Sequence, residues 1–125
     1  MLATSSMIAF VATKDPAKAR AFYQDVLQLR FITDDTYALV FDASGIMLRI
    51  AKVRDVVVAP YTILGWKVAD IVATIKDLTG RGVVFEKYKS FPQDDAGVCT
   101  FPDGTKVAWF KDPDGNTLSV AQFAK

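Results

Sequence analysis

Gly45-Ile46-Met47-Leu48-Arg49-Ile50-Ala51-Lys52 and Gly115-Asn116-Thr117-Leu118-Ser119-Val120-Ala121-Gln122 lie over one another, matching at the glycine, the leucine, the β-branched residue two places on and the alanine. Each glycine closes a turn, Ala43-Ser44-Gly45 in one case and Asp112-Pro113-Asp114-Gly115 in the other, and each run after it has strand length. A match in residues as well as in position marks a duplicated unit.

Upstream of each copy the order of elements also repeats. Residues 7–13 form an apolar run of strand length, and Asp15-Pro16 supplies a helix N-cap with proline at the first helical position. Ala19, Phe22, Tyr23, Val26 and Leu27 then recur at helical spacing, followed by strand candidates at Arg30–Thr33, Thr36–Asp42 and Ile46–Lys52. In the second half Tyr61–Val68 reads as a strand and Asp70 as a cap. Ile71, Val72, Ile75 and Leu78 make a helical stripe that Gly80 and Gly82 end, and Val83–Tyr88, Thr105–Lys111 and Asn116–Phe123 read as strands. The expected architecture is α+β: two βαβββ modules, 7–52 and 61–123, joined by a connector at 53–60 within a single domain.

Composition narrows the chemistry. The chain has 125 residues, 51% of them hydrophobic, enough to fill one core, and 15 Lys and Arg against 14 Asp and Glu leave a charge of +1. No excess field is available for nucleic acid or an anionic membrane, so neither is expected as a partner. Met7 to Ala12 is too short for a signal h-region or a membrane span. A single cysteine, Cys99, excludes an internal disulfide, and a cytoplasmic protein is expected. There is no histidine, and Glu86 is the one glutamate among the acids, which removes most routes to imidazole general-base, thiol-imidazole and transition-metal chemistry.

Lys14-Asp15-Pro16-Ala17-Lys18-Ala19-Arg20-Ala21-Phe22-Tyr23, Asp25-Val26-Leu27, Val68-Ala69-Asp70, Arg81-Gly82-Val83 and Phe110-Lys111-Asp112-Pro113-Asp114-Gly115-Asn116 follow one another along nearly the whole chain. In this order they resemble the vicinal oxygen chelate superfamily, the glyoxalase, bleomycin-resistance and extradiol-dioxygenase group. One departure is Gln28, where the family usually has a helix-ending glycine; a left-handed backbone there would cost roughly 1 kcal/mol. The resemblance implies curved mixed sheets around a cavity that holds the substrate and usually one divalent metal, and it implies a homodimer. Register from Asp15 and Asp70 places two of the family's four inward ligand positions at Ile8 and Ile63. Register from the two glycines places the others at Arg49 and Ser119. Isoleucine has no lone pair, arginine is permanently cationic and serine is a poor neutral donor, so no metal or other cofactor is expected. Asp34-Asp35 and Asp94-Asp95 read as solvated turn acids, with a hard-cation site as the alternative.

The candidate ligand-binding residues are Arg49, Phe10, Ser119, Ile8, Met47, Ile63, Lys67, Trp109 and Tyr37. Alternation puts Arg49 on the inner face, opposite Leu48 and Ile50, where a cation suggests an anionic ligand, or else snorkels out of an open cavity mouth or pairs with an Asp. Ile8, Phe10, Met47, Ile63 and Ser119 would make a mostly apolar wall, which core filling explains equally well. Lys67 falls on the face of Ile63 and Gly65, while Trp66 should pack beneath a helix. Trp109 and Phe110 point to opposite faces, with period alone leaving open which is which. Tyr37, Tyr61 and Tyr88 are candidates for a cavity rim. Cys99 reads as structural.

The expected function is metal-free binding of a small molecule, possible ligands being anionic or aromatic ones, with bleomycin-resistance-type sequestration as the model. The alternatives are a metal-dependent glyoxalase-type lyase, isomerase or dioxygenase, and a non-catalytic regulatory domain with a filled cavity.

Overall fold

The computed structural model describes residues 1–124. It is α+β, with two four-stranded mixed sheets, and divides into two compact units, Met1–Val58 and Ala59–Lys125.

In the first unit β1 (Ile8–Thr13) leads into α1 (Pro16–Ala21), then β2 (Arg30–Asp34), β3 (Ala38–Ala43) and β4 (Ile46–Lys52), with sheet order β1-β4-β3-β2. The Asp15 carboxylate accepts the Lys18 amide and starts α1. The helix continues through one widened turn at Phe22–Val26 and closes where the Leu29 amide reaches the Tyr23 carbonyl. Gln28, the residue that makes this closure, has φ 58°, the left-handed backbone that its glycine-like position suggested. Tyr23 lies on Phe41, and Phe41 on Phe31, so the face of β3 that carries Leu39 and Phe41 is the one under the helix. Leu48, Ile50 and Val11 complete this core, each fully buried side chain contributing about 1.5–3 kcal/mol.

The second unit repeats the plan with β5 (Leu64–Lys67), α2 (Ile71–Gly80), β6 (Cys99–Thr100), β7 (Lys106–Lys111) and β8 (Thr117–Gln122), in the order β5-β8-β7-β6. Asp70 caps α2 by accepting the Ala73 amide, and the Ile71 amide donates to Gln122 Oε1 from β8. That bond identifies the face of Gln122, and hence of Val120 and Leu118, as the one under α2. The two copies of the repeated octapeptide become β4 and β8, each parallel to the first strand of its unit and antiparallel to its other neighbour. Gly45 and Gly115, at φ 89° and 87°, make the turns before them.

Three element expectations need correction. The strand expected at Thr36–Asp42 begins only at Ala38, because the Asp35 carboxylate draws the Tyr37 and Ala38 amides into a turn. β5 is shorter than 61–68, although the Ile63 and Val68 amides still reach the Thr117 and Ala121 carbonyls of β8. Val83–Tyr88 is not a strand. Phe85 forms one bridge to Phe110 and Glu86 donates to the Trp109 carbonyl, after which the Gln93 side chain takes up the carbonyl of Glu86 and the amide of Tyr88. The outer edge of β7 is therefore covered in two pieces, by Phe85 and Glu86 at one end and by β6 at the other.

Candidate functional site

In each sheet one face lies under a helix and the other is free of helices, and alternation decides which side chains occupy the free face. On the first sheet Ile8 pairs with Met47, Phe10 with Arg49, and Arg49 with Val40, so these residues share the free face. Ile8 is 48% exposed, Phe10 60% and Met47 43%. Met47 also lines a hollow of about 310 Å³ with Ile32 and Val40, with Arg30 and Asp42 among its polar residues.

Arg49 lies on this face as alternation indicates, but its charge is matched within the protein. Its guanidinium donates to Asp35 Oδ2 at 3.1 Å, and Asp35 also accepts the Tyr37 and Ala38 amides at 2.8 and 2.7 Å. Those two amides and then Arg49 hold the Asp35 carboxyl below the usual carboxylate range. Lys52 pairs with Asp34 and donates to the Asp35 carbonyl. The Asp34-Asp35 turn is thus a charge-matched bracket, and the cation that suggested an anionic ligand already has its anion. Tyr37 projects from this turn, largely exposed.

On the second sheet Trp109 pairs with Ser119, and Ser119 with Gly65, opposite the α2 face. This settles the orientation of the aromatic pair: Phe110 packs under the helix against Trp66 and Phe85, and Trp109 is on the free face. Ile63 and Lys67 share the parity of Gly65. Lys67 lies at a hollow of about 590 Å³ with Val68, Gly104, Lys106 and Gln122. Phe91 stacks on Trp109 at 5.3 Å and 21°, and Tyr88 meets Trp109 edge-on at 5.6 Å. Burial, and secondarily Glu86, pushes the Tyr88 phenol above its ordinary range. Tyr88 is one of the rim candidates, whereas Phe91 is not among the expected site residues; its one signal in the sequence is a phenylalanine inside the polar stretch Ser90–Gly97. Asp94, the other turn acid, accepts the Ala96 and Val98 amides.

A family model described as Glyoxalase/Bleomycin resistance protein/Dioxygenase superfamily matches residues 6–120. The chain belongs to this superfamily. Among solved structures, a superfamily member from Sphaerobacter thermophilus DSM 20745 is similar at TM-score 0.75 and 21% identity, with 98% of this chain and 100% of that one covered. A glyoxalase family protein from Enterococcus faecalis gives 0.74 and 20%, with 98% and 100% covered. A lactoylglutathione lyase from Agrobacterium tumefaciens gives 0.69 and 18%, with 95% and 93% covered. At these identities the likeness is one of fold. No curated protein matches the sequence.

The divalent metal of the glyoxalase superfamily does not fit the residues present. Ile8 and Arg49 lie on the free face of the first sheet, and Ser119 shares the free face of the second with the parity of Ile63. Two of these side chains have no donor atom and one is a cation bound to its own carboxylate. Among the described residues no group of three His, Cys, Asp or Glu is placed to hold a metal ion. Among them too, no helix is long and apolar enough to cross a membrane.

Proposed function

We propose that this superfamily member binds a neutral, flat apolar or aromatic small molecule on the free face of its first sheet, without a metal. The observation that carries the reading is the row Ile8, Phe10 and Met47, three large apolar side chains left 43–60% exposed on one sheet face, of which Met47 also lines the 310 Å³ hollow. Apolar walls with a few polar groups at the margin suit such ligands, and Arg30 and Asp42 supply the polar groups. An anionic ligand is disfavoured because the Arg49 charge is matched by Asp35.

The test is thermal melting with neutral aromatics that carry no hydroxyl, naphthalene as the first probe. Saturation at about 100 times the dissociation constant stabilises the folded state by about 2.7 kcal/mol. The expected result is a rise in Tm that Phe10→Ala removes while the unliganded protein stays folded. A shift that survives Phe10→Ala, or no shift with any neutral aromatic, overturns the proposal.

A further inference from the structure

The segment 86–98 has an unusual hydrogen-bond economy. Gln93 ties it at three points: Oε1 accepts the Tyr88 amide at 2.6 Å, and Nε2 donates to the carbonyls of Glu86 and Gly97 at 3.0 and 2.8 Å. Lys87 Nζ donates to the carbonyls of Asp94 and Asp95, and the Asp94 carboxylate accepts the Ala96 and Val98 amides. All these bonds run within the segment. What it sets on the sheet is rings, Tyr88 edge-on and Phe91 stacked against Trp109. The segment is a pre-formed strap, pinned to β7 at its start by the Glu86 amide on the Trp109 carbonyl and by the Glu86–Lys111 ion pair, and beyond that latched to itself and resting on Trp109 through aromatic contact.

Phe91 is a poor core residue, since it remains 42% exposed while covering Trp109. Beside Trp109, on the paired position of β8, Ser119 is only 8% exposed. Its Oγ makes no hydrogen bond among the described residues, and Gly65 opposite carries no side chain; a Cβ there would stand 3.0 Å from that oxygen. Among the described residues no buried side-chain oxygen lacks a partner, so Ser119 Oγ still reaches solvent, where a ligand hydroxyl can take the place of water. A ring face covered by a removable ring, with an unused hydroxyl next to it, has the chemistry of a site for a flat aromatic ligand bearing a hydrogen-bonding substituent.

We propose that Phe91 is the internal occupant of such a site on Trp109, and that the Gln93-latched strap lifts to exchange Phe91 for an aromatic ring whose hydroxyl bonds Ser119 Oγ. This site lies on the second sheet and goes beyond the function proposed for the first. Because closed strap and ligand compete, the apparent affinity is the intrinsic one scaled by the fraction of open strap. Loosening the strap must tighten binding.

The test uses a Trp66→Phe background, in which Trp109 is the one emitter, with acrylamide to report its exposure and 4-nitrobenzyl alcohol as the quenching probe. Phe91→Ala and Gln93→Leu are expected to raise acrylamide quenching and to tighten probe binding, by about threefold or more for Phe91→Ala. Ser119→Ala is expected to erase the preference for 4-nitrobenzyl alcohol over 4-nitrotoluene, which lacks the hydroxyl. The Trp109 indole N–H resonance in the otherwise unaltered chain gives the same readout should Trp66→Phe not fold. Unchanged or weaker binding in Phe91→Ala overturns the proposal, since Phe91 would then be wall and not competitor. Phe10→Ala scores the first-sheet site separately: its failure to alter the naphthalene shift leaves the Phe91 result standing.

Discussion

Asp35 gathers three donors, the Tyr37 and Ala38 amides and the Arg49 guanidinium, and its carboxyl is held below the ordinary aspartate range chiefly by the two amides. A carboxylate whose pKa is depressed on folding contributes stability that is present above its unfolded value and lost as pH falls through the folded one. Acidification below about pH 4 should therefore remove this contribution in the native chain and not in Asp35→Asn. Thermal melts at low salt, taken from neutral pH into the acid range, should show a steeper acid limb for the native chain; parallel limbs would remove Asp35 from the account. Asp103 is depressed likewise by its bonds to Thr105, but it is common to both chains and cancels. At this scale the sequence showed which face Arg49 occupies, because alternation is local. It left open whether Arg49 meets a ligand or an Asp, since Asp35 lies 14 positions away and reaches it only through the pairing of β3 with β4.

Gln28 shows what an element end can reveal. The helix closes through the bond from Leu29 to Tyr23 only if residue 28 is left-handed, and a glutamine there carries the Cβ clash that glycine avoids. Gln28→Gly should stabilise the protein by up to about 1 kcal/mol, less the extra freedom glycine gives the unfolded chain. Urea unfolding measures it, and a destabilised variant would refute the strain argument. Turn and cap chemistry was legible in advance at Asp15, Asp70, Gly45 and Gly115, where one residue type dictates local geometry. Val83–Tyr88 was misread because its apolar alternation is real, but the Gln93 side chain captures its backbone, a contact that no periodicity announces.

Across the whole molecule the duplicated octapeptide carried the fold, since both copies take the same place in their sheets. The metal question also belongs here. Resident metal couples to folding, so chelation destabilises proteins built around one. With Ile8, Arg49, Ile63 and Ser119 at the four positions where the resemblance would place metal ligands, Tm should be the same with and without EDTA, and dialysed protein should hold no stoichiometric metal. A Tm lowered by EDTA would contradict the donor argument. The missing histidines could be read from composition. The aromatic contacts around Trp109 could not, because they depend on a loop path.

Ile8 pairs with Met47 and Leu64 with Leu118, so in each unit the first strand made is joined in parallel to the last. During synthesis β1 and β5 each wait with both edges open until β4 or β8 leaves the ribosome, and β8 follows β5 at a longer interval than β4 follows β1. Non-local parallel pairing of this kind closes slowly and leaves apolar edges exposed meanwhile. The duplication that organises the finished protein thus gives the nascent chain two successive periods of vulnerability, the second the longer.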